Sequence, residues 1–133
     1  MSQSDVRPAP VSKAMLWAGR VTSAVPAIML LLSAGMKLAK SPQVVDGFAK
    51  LGYPGHVILA IGVVELVCTV LYIVPRTAVL GAILLTGYLG GAIDTHVRVG
   101  DPFVGPLVFG VLVWLGLYLR DRRIRALMPF RKV

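Results

Sequence analysis

The chain has 133 residues, of which 56% are hydrophobic and 15% charged. That is too little charge to hydrate the surface of a soluble domain, which carries about 25%. The net charge of +8 does not imply a nucleic-acid partner, because the basic residues flank long apolar runs and do not cluster on one face of a soluble scaffold. The lone cysteine, Cys68, excludes an internal disulfide and a C-x-x-C redox pair.

Residues 1–14 read as a polar, Pro-bearing cytoplasmic tail. The run that follows is too long for the apolar region of a signal peptide and lacks a cleavage site, so it is expected to stay in the membrane. A helix crosses the hydrocarbon core with about 20 apolar residues, which predicts a first span at 15–36. The next segment is different. Ser41 suits an N-cap, Pro42 the first helical position and Gly52 a C-terminal stop. Val44, Val45, Phe48 and Leu51 make one apolar stripe, with Asp46 and Lys50 on the other face. This predicts an interfacial helix over 42–51, resting on the outer surface as a lid.

Three more spans are predicted at 56–74, 77–96 and 103–119, the first two joined by the tight turn Pro75-Arg76-Thr77. Residues 121–133 form a basic cytoplasmic tail with room for a last helical turn or two. The expected fold is therefore an all-α membrane protein: a four-transmembrane-helix bundle with a short interfacial helix between spans 1 and 2.

The basic flanks orient it. With the N-terminus inside, Arg7, Lys13, Arg20, Arg76, Arg120, Arg122, Arg123, Arg125, Arg131 and Lys132 lie on the cytoplasmic side. Only Lys37, Lys40, Lys50 and Arg98 lie outside. The positive-inside bias then places both termini in the cytoplasm of a cell with an inner (plasma) membrane. Trp17, Tyr72 and Tyr118 fall near the inner boundary, where amphipathic rings sit.

An ionisable group at a span centre costs at least about 2.5–3.5 kcal/mol, so each is a functional candidate. Glu65 lies nine residues into the second span, roughly 13 Å deep at 1.5 Å per residue. It must face the bundle interior, neutral or paired with a cation or donor. Two readings stand: a proton-handling or ligand-anchoring carboxyl, or an interhelical hydrogen-bond partner. Asp94 and Arg98 are four apart and are expected to pair along one helix face. Lys37, His56, Asp94, His96 and Arg98 all come at the outer ends of spans, above Glu65, which suggests a polar funnel closed by the lid. Gly87 and Gly91 form a small-xxx-small pair, read as helix packing. No metal site is expected, since His56 and His96 have no ligand spacing, and no P-loop or dinucleotide fingerprint occurs.

The run Gly87-Tyr88-Leu89-Gly90-Gly91-Ala92, continuing Thr95-His96-Val97-Arg98 and closing on Gly100-Asp101-Pro102, resembles the DoxX-like membrane proteins. So do Trp17-Ala18-Gly19-Arg20, the segment Gly47-Phe48 to Tyr53-Pro54, and Glu65-Leu66 with Tyr72 to Thr77. The resemblance covers roughly residues 15–128. It implies a four-helix integral membrane protein and carries Glu65, Thr95, His96 and Arg98 over as candidate site residues. Asp94 departs from the family pattern, in which that position is more often small and apolar.

The resemblance also implies a redox-associated subunit. On that reading a quinone or other lipophilic ligand binds in the outward polar cluster, with His96 and Glu65 serving its oxygens and protons. Two alternatives stay open: a small proton-coupled exporter, and a non-catalytic accessory or assembly factor. The expected partners are the lipid bilayer, other membrane oxidoreductase subunits and a second copy of the chain, with no nucleic acid. No cofactor is specified beyond the quinone candidate, and the sequence leaves open whether the protein is an enzyme.

Overall fold

The computed structural model describes residues 10–131. The ends of the two expected tails, with Arg7 and Lys132, lie outside the described residues. Six helices follow in order: α1 (Lys13–Leu38), α2 (Pro42–Lys50), α3 (Val57–Ile73), α4 (Ala78–Val99), α5 (Val104–Arg120) and α6 (Arg122–Leu127).

Local chemistry sets the boundaries. Ser12 Oγ accepts from the Met15 amide at 3.2 Å and caps α1. Lys40, in the left-handed region at φ 49°, turns the chain out of α1, and the Ser41 amide donates back to Met36 O at 3.1 Å. Pro42 opens α2 as expected, but Ser41 contributes no side-chain cap. Its Oγ is buried without a partner. Gly52, at φ 81°, closes α2 through a Tyr53 N–H to Phe48 O bond of 2.9 Å. Pro75 ends α3 by steric exclusion of helical geometry before it, and Thr77 Oγ1 donates to Leu71 O at 2.8 Å to fix the turn into α4. The basic segment after α5 folds into α6, whose first turn is capped by Asp121 through the Arg123 amide at 2.8 Å.

The four long helices form a ring. α1 packs on α3 and α5, and α4 packs on the same two from the opposite corner. Glycines decide where backbones touch. A Cβ on Gly19 would meet Arg120 Cβ at 2.8 Å, and one on Gly116 would strike Ser23, so both sit at the α1–α5 seam. A Cβ on Gly62 would meet Lys37 Cβ at 2.8 Å, and one on Gly81 would strike the Tyr72 backbone. Gly87 and Gly91, the pair assigned to packing from its spacing, meet no other helix among the described residues of this chain: a Cβ on either finds nothing there within 4 Å. Spacing alone reports a smooth helix face, not which neighbour lies against it.

The ring is filled by Leu30, Ala34, Ile58, Cys68, Ala82, Leu85, Leu89, Val113 and Leu117. Tyr72 belongs here too, 1% exposed and donating its hydroxyl to Val113 O at 2.8 Å. It is a core anchor rather than a boundary ring, because the α5 carbonyl satisfies the phenol in the interior. Trp17, by contrast, is exposed at the helix surface with the Arg20 guanidinium 5.2 Å from its ring centre.

The distribution of polarity is inverted relative to a water-soluble bundle. Ser23, Glu65, Thr69 and Thr95 are buried, while Val21, Ile28, Leu32, Val63, Val67, Leu80, Ile83 and Val111 are exposed. A continuous apolar exterior of this kind is stable only against lipid. Two of the helices, α1 and α4, are individually long and apolar enough to cross a bilayer; α3 and α5 are shorter apolar helices.

Candidate functional site

At Gly81, beside the turn, the α3 and α4 backbones touch, whereas a Cβ on Gly87 or Gly91, further along α4 and on another face of it, meets nothing within 4 Å among the described residues. The space left is a cavity of about 470 Å3. α1 contributes Leu30, Ser33 and Lys37 to its walls, α3 contributes Ile61 and Glu65, and α5 contributes Gly105, Pro106 and Phe109. The α4 wall runs through Gly87, Tyr88, Leu89, Gly91, Ala92, Thr95 and His96, and Phe48, Leu51 and Tyr53 close the top.

Its polar centre is an ion pair. Lys37 Nζ donates to Glu65 Oε2 at 2.7 Å, the two side chains being 12% and 2% exposed. Ser33, one turn before Lys37, accepts a second ammonium proton at 2.5 Å. Gly62 makes the approach possible, since its bare Cα leaves room for the Lys37 stem against α3. Glu65 is thus paired with a cation, and Lys37 is a partner of that carboxylate rather than a headgroup contact. Lys37 Nζ keeps a third proton without a partner among the described residues. Tyr88 stands close enough for its phenol to feel the Glu65 carboxylate.

Above this pair sits a hydrogen-bonded lid. Thr95 Oγ1 donates to Gly91 O at 2.8 Å, so at its 3.0 Å contact with Tyr53 the phenol is the donor. Arg98 donates to Leu51 O at 3.1 Å, and its guanidinium lies 5.9 Å from the Tyr53 ring centre. Phe48 packs near Tyr53, with ring centres 5.8 Å apart, and lies 6.0 Å from Lys37 Nζ. The cavity is therefore covered by Phe48 of α2 and by Leu51 and Tyr53 just after it, and this following segment is bonded to α4. His96 lines the same space. Its Nδ1 lies 2.7 Å from Ala92 O; a carbonyl only accepts, so Nδ1 carries a proton in this contact.

Of the residues singled out from the sequence, Lys37, Glu65, Thr95 and His96 converge on the cavity, and Arg98 secures its lid. Gly87 and Gly91 line it as open wall. Asp94 and His56 stand apart, both exposed and outside the lining. The expected Asp94–Arg98 pair does not form, because Arg98 turns to the Leu51 carbonyl. Lys37–Glu65 is the sole ion pair among the described residues. No three His, Cys, Asp or Glu side chains converge as metal ligands there. Sequence reasoning named Phe48 only as part of the lid's apolar stripe and missed Ser33, Tyr53 and Tyr88 as site residues. Ser33 had a signal in its four-residue spacing to Lys37; Tyr53 and Tyr88 had none.

The family model described as the DoxX-like family matches residues 21–116, which takes in all of these cavity residues. No curated protein and no solved structure matches the chain.

Proposed function

The chain belongs to the DoxX-like family of membrane proteins, and from that premise we propose that it binds a small lipophilic molecule of the quinone class between Lys37 and Glu65. It does so as a redox-associated membrane subunit. One observation carries the reading. A shielded ion pair with a spare ammonium proton faces a mostly apolar, aromatic-lined space of about 470 Å3 that also takes in Ser33, Thr95 and His96. Ligand pockets fall in the range of about 300–1,000 Å3 and combine apolar walls with a few converging polar groups. An ion pair kept only for packing would need no cavity beside it.

The pair is neutral overall, so it favours a neutral guest. Lys37 Nζ is placed to donate to a ring carbonyl oxygen, and the Glu65 carboxylate with the Tyr88 phenol beside it to meet the hydroxyl of the reduced form. Phe48, Tyr53, Tyr88 and Phe109 offer ring faces and edges around the guest. The exporter reading has less support, because a cationic substrate at Glu65 would have to displace the Lys37 ammonium already paired with it. An accessory role in a larger oxidoreductase complex is compatible with ligand binding, and the partner would be another membrane subunit.

In this reading α1, α3, α4 and α5 all span an inner (plasma) membrane. α3 and α5, at 17 residues each, reach about 25 Å, close to the hydrocarbon thickness of about 30 Å. Lys13, Arg20, Arg76 and the arginines of α6 mark the cytoplasmic end.

The test is retention of decylubiquinone by the purified protein in lipid nanodiscs. The folded protein is expected to hold about one equivalent through gel filtration, and Glu65→Gln to weaken binding at least about tenfold, the equivalent of 1.4 kcal/mol. A folded sample that retains none would refute the reading.

A further inference from the structure

The cavity has two ways out, and they differ in character. Toward the aqueous end it is covered by Phe48, Leu51 and Tyr53, the segment just after α2 being hydrogen-bonded to α4 through Tyr53–Thr95 and Arg98–Leu51. Toward the side, along the α3-facing flank of α4, its wall is two glycines that no described residue covers. Gly87 and Gly91 are both exposed, both line the cavity and have no neighbour within 4 Å of a built Cβ. They stand four residues apart, so they share one helix face. The lipid-facing surface beside them is apolar, with Val64 at 51% and Leu84 at 40% exposure.

We infer that the α3–α4 gap is a lateral door onto the bilayer, and that the ligand is a neutral amphiphile whose polar ring sits at Lys37–Glu65 while its hydrocarbon tail passes over Gly87 and Gly91 into lipid. This rests on the proposed ligand site and adds the route and the tail. The physical reason for glycine here is space. Any side chain at 87 or 91 would project into the gap, and a branched one would close it. A water-filled entrance would need polar groups along its rim, and the exposed α4 wall here is the glycine pair, which offers no polar side chain. A tail in the door also leaves the lid in place, so the ion pair stays shielded while the ligand is bound.

The experiment compares decylubiquinone with its tail-less parent, 2,3-dimethoxy-5-methyl-benzoquinone, for the unmodified protein and for Gly87→Leu and Gly91→Leu. Both variants are expected to fold, because the added side chains enter empty space and leucine favours the helix; far-UV circular dichroism and gel filtration in nanodiscs check this. The expected result is at least a tenfold weaker decylubiquinone affinity in each variant, with tail-less binding changed less than threefold. Because both quinones are compared across variants in the same lipid, their partition into the bilayer cancels. Decylubiquinone binding that survives unimpaired in both folded variants would overturn the door. If the unmodified protein binds neither quinone, the ligand reading itself fails, a result distinct from the first.

Discussion

The Lys37–Glu65 pair invites a double-mutant cycle, with each residue replaced by methionine singly and together. At 2.7 Å and an effective dielectric near 20, the gross attraction is about 6 kcal/mol. Most of it offsets the desolvation of two charges whose side chains are 12% and 2% exposed. Removing one partner leaves the other buried without its counter-charge, which costs about 3–5 kcal/mol in closed interiors. The adjoining cavity lets water reach the orphan, so the lower end, about 3 kcal/mol, is expected for Lys37→Met and for Glu65→Met. Ser33 still bonds the ammonium in the second case, so Glu65→Met should be the milder of the two. The double variant replaces both charges by apolar side chains of similar volume and should recover most of the loss. Stability is read from SDS titration in mixed micelles, followed by far-UV circular dichroism. The coupling energy should be at least about 2 kcal/mol. Single losses below about 1 kcal/mol, or strictly additive ones, would refute the claim that this pair is a shielded unit.

The remaining predictions concern packing and orientation. Gly81→Ala and Gly116→Ala drive a methyl group into the Tyr72 backbone and into Ser23 and should destabilise by about 1–3 kcal/mol. Gly87→Ala and Gly91→Ala should raise stability by up to about 1 kcal/mol through helix propensity alone. Equal effects at the four positions in the same SDS titration would contradict the seams described. Alkaline phosphatase and green fluorescent protein fused to each terminus should report both ends in the cytoplasm; phosphatase activity at either end would invert or break the proposed topology.

Glu65 illustrates how function and stability share one site. Its carboxylate is held by Lys37 from α1, the approach of Lys37 is permitted by Gly62 on α3, and it lines the cavity with Tyr88 of α4 beside it. A buried pair of this kind is weak as a source of stability. Its location beside a cavity, with an ammonium proton to spare, gives the protein a place where a polar group on an otherwise apolar guest finds a match.

The helices themselves were legible from the chain, since apolar runs of a given length and the stop signals at Gly52, Pro75 and Gly100 act locally. So did the lid, because Ser41-Pro42 and the stripe of Val44, Val45, Phe48 and Leu51 define an amphipathic helix whatever surrounds it. Glu65 and His96 stood out by the expense of placing polar groups among apolar ones. What the chain could not disclose was pairing. Lys37 and Glu65 are 28 residues apart, and Tyr53 and Thr95 are 42; which of several polar groups meet depends on how the helices lean. The same lean turned a packing motif into a cavity wall. Periodicity describes one helix at a time, and a cavity is a property of the gaps between helices.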